Sequence, residues 1–358
     1  MDIETKMDLI KQVGEEIITE EELRELLQTN NHPIAYDGFE PSGQIHIAQG
    51  ILRAININKM LEAGVEFIMY VADWHGWANN KLGGDLKKIQ TCGDYLTEVW
   101  KVSGMDVKKV KFVRASEIVD SMEYWKKVLQ ISRNSTIKRI IRCGQIMGRT
   151  EGEVQQASQI LYPCMQAADI FELKADITQL GMDQRKVNVL AREIGPKLGW
   201  GKPVVVSHHM LMGLLPPTSD ATDTLERTIE LKMSKSKPDS AIFMTDTKED
   251  IVKKIKKAYC PEKQVEENPI MEYCKYIIFE KFPVLKIERP DKFGGDIEVE
   301  NYEELEKIYS QGELFPLDLK NAVAEHIDKL IQPVREHFEK NQKAKELLEE
   351  VKSFKISR

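Results

Sequence analysis

Hydrophobic residues along this chain follow two alternating rhythms. "IAYDGF" (34–39) reads as a short strand, and the nearly continuous apolar run "VEFIMYVAD" (65–73) predicts a strand buried on both faces. Between and after them, "IHIAQGILRAININKMLEAG" (45–64) and "DLKKIQTCGDYLTEVWKVSG" (85–104) repeat apolar positions at about 3.6 residues and stop at Gly64 and Gly104, as amphipathic helices do. "VKFVRAS", "ADITQLG" and "PVVVSHHM" read as further strands, with "MDQRKVNVLAREIG" as a helix between the last two. The first 30 residues read as helical, Thr19 serving as an N-cap with Glu22 three residues on. Such alternation predicts an α/β fold, a Rossmann-like doubly wound parallel sheet.

Two departures from the rhythm divide the chain. Residues 117–172 are mostly helical and read as an insertion between strands. From Thr247 onward the texture becomes charged and helical, as in "KEDIVKKIKKAYC" and "LKNAVAEHIDKLIQPVREHF". We therefore expect a sheet-bearing domain over 1–246 and a mostly α-helical one over 247–358. "PPTSDATDTLERTIE" (216–230) reads as a mobile loop, and the tail 338–358 as an amphipathic helix with a structural role.

Composition adds mainly exclusions. The net charge of −7 gives no bulk basicity, although Lys253, Lys254, Lys256 and Lys257 form a local cluster. The five cysteines are widely spaced without a CxxC pair, which speaks against a disulfide framework or zinc site and for a reducing, cytoplasmic setting. No apolar h-region opens the sequence and no apolar run reaches membrane-spanning length, so neither secretion nor a membrane partner is expected.

Candidate chemistry sits at three places. In "AYDGFEPSGQIHIAQG" (35–50) a strand meets a Gly/Pro/Ser/Gly turn and then His46 at the expected start of a helix. Backbone N–H groups there favour phosphate, and His46 can donate to a phosphoryl oxygen as charge builds. A plain β–α turn fits the same residues. "LKMSKSKPDS" (231–240) places Lys232, Ser234, Lys235 and Ser236 in a polar loop after a strand and a flexible insertion. Two ammonium groups and two hydroxyls on a moving loop suit a pyrophosphate that is gripped and released, although a lysine-rich surface loop has the same composition. In "QILYPCMQAADIF", Tyr162, Gln166 and Asp169 stand at i, i+4 and i+7, on one face of a helix. That face fits either solvent or a zwitterionic amino acid with a polar side chain.

The ordered pair "HIAQ" and "KMSKS" resembles the two signatures of class I aminoacyl-tRNA synthetases, whose patterns read H-I-G-H and K-M-S-K-S. "ADWHGWANNKLGGDLKKI", "QILYPCMQAADIFELKADITQLGMDQRKVNVLARE", "KKAYCPEKQVEENPIMEY", "RPDKFGGD" and "LDLKNAVAEHI" extend the likeness over nearly the whole chain, to the tyrosyl-tRNA synthetases of the archaeal and eukaryotic type. The resemblance implies that L-tyrosine is bound by Tyr36, Gly38, Tyr162, Gln166, Asp169 and Gln184. Tyr36 and Asp169 would hold the phenol, and Tyr162, Gln166 and Gln184 the amino group. It implies ATP as substrate, accompanied by Mg²⁺ through phosphate oxygens and water, with no metal cage in the protein. His46, Gln49, Ser234, Lys235 and Ser236 would bind ATP, with His46, Gln49, Lys232 and Lys235 carrying catalysis. Arg142 and Arg185 match readers of the first tRNA acceptor base pair. Phe293 and Asp318 match anticodon contacts in a C-terminal anticodon-binding domain, with Phe315 as a stacking candidate. The family pattern is a homodimer joined through the 117–172 insertion, acting on tRNA(Tyr).

Other residues near these motifs stay open. His75 stands where a strand ends and is a candidate for lining the tyrosine pocket, and His208 and His209 adjoin the expected adenine site. Ala48 and Gln49 replace the glycine and second histidine of the better-known signature, and Gln keeps a donor without becoming cationic. A tryptophanyl enzyme, a nucleotidyltransferase and a non-catalytic RNA-binding relative are the rival readings. The first would want a flatter, less polar slot than Tyr36 with Asp169. The second would not need the Tyr162/Gln166/Asp169 face, and the third would not need His46, Lys232 and Lys235.

Overall fold

A computed structural model describes residues 1–148, 156–217, 224–235 and 238–355. Six strands form one sheet: β1 (Gly14–Ile18), β2 (Ile34–Phe39), β3 (Glu66–Val71), β4 (Val110–Arg114), β5 (Ile177–Thr178) and β6 (Val204–His208). Their spatial order is β1-β6-β5-β2-β3-β4. All neighbours pair in parallel except β1, which runs antiparallel to β6. The chain winds outward from β2 through β3 to β4, then returns to place β5 on the other flank of β2. That junction is a topological switch point, where parallel sheets leave a crevice at their C-terminal edge.

The run "EFIMYV" shows why the sheet needs cover on both sides. Phe67, Met69 and Val71 join one apolar cluster with helices Ile51–Glu62 and Leu86–Val102. Their neighbours Ile68 and Tyr70 join a second, with helices Met122–Arg133, Ala157–Glu172 and Arg185–Leu198. Alternation along a strand sends successive side chains to opposite faces, and here both faces are buried. The first cluster continues without a break into the C-terminal part, taking in Ile251, Ile277, Val323, Phe338 and Val351.

Several sequence expectations need correction. The first 30 residues are not one helical stretch: helices Ile3–Lys11 and Glu20–Thr29 flank the edge strand β1, and Thr19 Oγ1 does accept from Glu22 N–H at 3.2 Å. The helix expected from His46 begins only at Ile51, after a series of turns, so His46 is not at a helix N-terminus. The "ADITQLG" strand shrinks to two residues plus an isolated bridge between Gly181 and His208. The segment expected as a mobile loop contains a helix, Thr224–Leu231, so the lysine-bearing loop follows a helix and not a strand; residues 218–223 lie outside the described ones. The C-terminal part is mostly helical but holds a small antiparallel pair, β7 (Leu285–Ile287) and β8 (Ile297–Val299). Among the described residues no helix is long and apolar enough to cross a membrane.

Candidate active site

The switch-point crevice opens into a cavity of about 540 Å³. Tyr36, Gly38, Tyr162, Gln166, Asp169 and Gln184 line it, as do His46, Gln49, Lys232, Ser234 and Lys235. All three sequence motifs thus meet in one space. Ser236 lies outside the described residues, as does the side chain of Phe293.

One end of the cavity is built around Asp169, which is 1% exposed. Its Oδ1 accepts from the hydroxyls of Tyr70 at 3.1 Å and Tyr124 at 3.0 Å, and Oδ2 lies 2.9 Å from His75 Nε2. Burial opposes charge on His75, but the Asp169 carboxylate outweighs it and holds the imidazole above its usual range. Two hydroxyl donors and the adjacent imidazole fix this carboxylate in place. Beside it the Tyr36 hydroxyl is buried with no partner among the described residues. Gly38 keeps the wall thin, since a Cβ there would stand 3.3 Å from Tyr70 Cδ1.

Farther along the helix Ala157–Glu172, Tyr162 lies beside the Glu40 carboxylate, and its ring meets His75 edge-on at 5.1 Å. Glu40 also accepts from Asn79 Nδ2 at 3.1 Å and lies 3.5 Å from Lys81. Gln166 Nε2 donates to Gln184 Oε1 at 3.0 Å, and Gln184 Nε2 to the Ile146 carbonyl at 3.1 Å. These bonds leave Gln166 Oε1 buried and unpartnered. The result is a cluster of acceptors along the helix from Asp169, suited to an ammonium group.

The other end is positive. Residues 45–47 run against 242–244: Ile47 N–H donates to the Ile242 carbonyl at 2.9 Å and Met244 N–H to the Ile45 carbonyl at 2.9 Å. Gly50 makes this approach possible, because a Cβ would fall 2.4 Å from Met244 Sδ. His46 is 7% exposed, and burial, reinforced by Lys235 and Lys232, keeps its pKa well below the usual value. It is therefore a neutral imidazole with an unpartnered Nδ1. Gln49 presents an unpartnered Oε1 while its carbonyl is fixed by Trp100 Nε1 at 2.9 Å. Burial brings Lys235 down to about 8, and its Nζ has no partner among the described residues. Lys232 reaches across the cavity to Asp183 Oδ2 at 2.6 Å.

The floor between the two ends holds a buried ion pair, Asp37 Oδ2 to Arg53 Nε at 2.8 Å. Arg53 continues to Gln179, whose Nε2 is 3.2 Å from His208 Nδ1. Burial raises Asp37 to about 7 against the pull of Arg53, and burial with Arg53 depresses His208. Sequence reasoning missed Glu40, Tyr70, Tyr124 and Asp183. Glu40 and Asp183 stand inside quoted motifs beside recognised residues, so position was a usable signal. Tyr70 and Tyr124 sit in apolar patterns that mark them only as core.

The residues expected to touch tRNA lie outside the cavity. Arg142 is exposed on the helix Ile137–Cys143. Arg185 begins the helix Arg185–Leu198 and is paired with Glu16 of β1 at 2.7 Å. Asp318 stands in the first turn of the helix Pro316–Lys340, and Phe315, 58% exposed, at its N-cap.

The family model described as tRNA synthetases class I (W and Y) matches residues 28–332. A tyrosine–tRNA ligase of Arabidopsis thaliana, named cytoplasmic, is 48% identical over 360 residues, covering 100% of this chain and 90% of its own length. The chain belongs to the tyrosyl-tRNA synthetase family. The tyrosine–tRNA ligase of Thermococcus kodakarensis is 45% identical, with 98% of this chain and 99% of that protein covered. Among solved structures, the tyrosyl-tRNA synthetase of Pyrococcus horikoshii complexed with L-tyrosine superposes with a TM-score of 0.90 at 41% identity, covering 98% of this chain and 100% of that one. The Leishmania major enzyme in complex with tyrosinol gives 0.89 at 45% identity, covering 99% of this chain but 61% of that longer one. This synthetase fold accounts for the switch-point cavity, with both signatures on its walls.

Proposed function

We propose that the cavity joins L-tyrosine to ATP, with the phenol at Asp169 and Tyr36 and the phosphates at His46 and the lysine-bearing loop. As a member of its family the chain is a tyrosine–tRNA ligase, taking tyrosine, ATP and tRNA. The residue roles that follow are our assignment. The observation that carries it is the set of buried, unpartnered polar atoms along one cavity: Tyr36 Oη, Gln166 Oε1, His46 Nδ1, Gln49 Oε1 and Lys235 Nζ. Buried polar atoms left unpaired are costly and rare, so a cluster of them marks where a ligand completes the bonding.

Tyr162, Gln166, Gln184 and Glu40 take the ammonium group and aim the carboxylate at the α-phosphorus of ATP. A carboxylate oxygen attacks in line, the bond to the β-phosphate oxygen breaks, and tyrosyl-adenylate and pyrophosphate form. No protein nucleophile is needed, so catalysis is positioning and charge stabilisation. Neutral His46 donates one N–H to the phosphate as charge develops, with Gln49 beside it. Lys232 and Lys235, with Ser234 and Ser236, hold the departing pyrophosphate. Mg²⁺ enters with ATP as part of the substrate. A hydroxyl of the tRNA 3′-terminal adenosine then displaces AMP and receives the tyrosyl group. Asp169 with Tyr36 favours a phenol over an indole, which offers one N–H donor and no acceptor.

Residues 247–358 would form an anticodon-binding unit, with Phe293, Asp318 and Phe315 toward the anticodon and Arg142 and Arg185 toward the acceptor stem. A homodimer through the 117–172 insertion is supported by Met122, Leu129 and Ile137, apolar side chains 84%, 64% and 71% exposed there. We place the enzyme in the cytoplasm, as the Arabidopsis relative's name has it. Tyrosine-dependent ATP–pyrophosphate exchange followed by charging of tRNA(Tyr) tests the reading. Exchange driven by tryptophan and not tyrosine, or none, overturns it.

A further inference from the structure

The wall that carries the lysine-bearing loop is held from the C-terminal side. Residues 211–213 run beside 231–233: Gly213 N–H donates to the Leu231 carbonyl at 2.8 Å, and Met233 N–H to the Leu211 carbonyl at 2.9 Å. Met212 stands opposite Lys232 in this short pairing. Its own backbone groups point elsewhere. The Met212 N–H donates to the Glu272 carboxylate at 2.9 Å, and its carbonyl accepts from the Tyr273 hydroxyl at 3.0 Å. Both residues belong to the short helix Pro269–Tyr273, beyond the expected boundary at 246.

The same Glu272 oxygen lies 3.1 Å from His209 Nε2, and His209 Nδ1 lies 3.0 Å from Glu15 on β1. The His209 ring stacks on Tyr276, with centroids 4.3 Å apart and planes within 16°. The clamp therefore grips the strip at two places three residues apart. With both polar groups of one residue fixed, the strip cannot slide without breaking a half-buried, charge-assisted bond.

We propose that Glu272 and Tyr273 are positioning residues for the ATP half-reaction, setting Lys232 and Lys235 in place through Met212. This rests on reading the loop as the pyrophosphate grip. It gives residues beyond 246 a part in a step that needs no tRNA. Neither side chain touches substrate; both act through the strip.

The test is tyrosine-dependent ATP–pyrophosphate exchange by the full chain without tRNA, in E272A, E272Q and Y273F. E280Q is the control: it cuts another ion pair between the two parts, Glu280 to Lys59 at 2.7 Å, without touching Met212. We expect kcat/KM for ATP to fall about tenfold in E272A and about two- to tenfold in E272Q and Y273F. The KM for tyrosine stays within about twofold throughout, and E280Q changes neither. Absence of exchange in the unmodified protein refutes the functional reading itself. Exchange with an unchanged ATP dependence in E272Q and Y273F refutes the clamp, as does a parallel loss for tyrosine or an equal effect of E280Q. Should E272A fail to fold, the two near-isosteric variants decide alone.

Discussion

Tyr36→Phe separates a ligand-binding hydroxyl from a structural one. Tyr36 is 1% exposed and its hydroxyl has no partner among the described residues. Removing it therefore breaks no hydrogen bond among the described residues, and relieves a desolvation cost of about 1–3 kcal/mol carried by an unpaired buried polar group. With an unfolding entropy near 2.1 cal/mol/K per residue, 358 residues give about 0.75 kcal/mol/K, so each kcal/mol moves Tm by about 1.3 °C. The variant should melt about 1–4 °C higher, or no lower, than the parent. The catalytic effect has the opposite sign. One neutral hydrogen bond to the substrate phenol is worth about 0.5–1.5 kcal/mol, so kcat/KM for tyrosine should fall about two- to tenfold. Phenylalanine makes no such bond and should lose nothing, so discrimination narrows by the same factor. Calorimetry and pyrophosphate exchange with both amino acids measure the pair. A Tm drop of more than about 3 °C with unchanged tyrosine kinetics would refute the reasoning.

Asp169→Asn should fail on both counts. It removes the buried partner of His75, a loss of about 3–5 kcal/mol, so we expect Tm to fall by several degrees and exchange by at least about a hundredfold; wild-type stability in this variant would contradict the assigned network. His46→Ala should impair adenylation more than Gln49→Ala, because His46 is the more deeply buried of the two and lies beside both lysines; an equal or larger loss at Gln49 reverses the assignment. Burial disfavours the His209 imidazolium, but Glu15 and Glu272 prevail and raise it to about 9 in the folded state. A raised basic pKa stabilises fully below about 6.5 and fades as pH climbs through 9, here by about 3 kcal/mol. Between pH 6.5 and 9.5 the parent should lose more Tm than H209Q; parallel curves would contradict this.

Repeating patterns made the main architecture legible. The nearly continuous run of β3 marked a strand buried on both faces, that of β6 marked a strand, and the spacing of Tyr162, Gln166 and Asp169 put three polar groups on one helical face, where they line the cavity. What escaped had no local pattern. "GEEII" alternates poorly because β1 is an edge strand, paired with β6 alone among the described residues. Tyr70 and Tyr124 look like core because they are core, and their hydroxyls bear on the site through Asp169, 99 and 45 residues away. The Lys232–Asp183 pair and the Glu272–Met212 bond likewise join positions that only the tertiary fold brings together. His46 was placed too early in its helix because the apolar period runs smoothly through the turns before Ile51. The approach of 242–244 overrides that local preference.

The unbroken apolar cluster has a consequence for synthesis. Tyr95, in the helix Leu86–Val102, packs against Phe338, and the last helix, Gln342–Ser353, lies on the same surface with Lys88 over the Phe354 ring. Tyr95 thus waits for its cover until some 240 further residues have been translated, about a dozen to fifty seconds at ordinary ribosomal speed. Once residue 246 has been made, the sheet-bearing half stands with part of its apolar surface exposed until the C-terminal helices follow. A nascent chain that pauses after residue 246 presents that surface to whatever binds unfinished proteins.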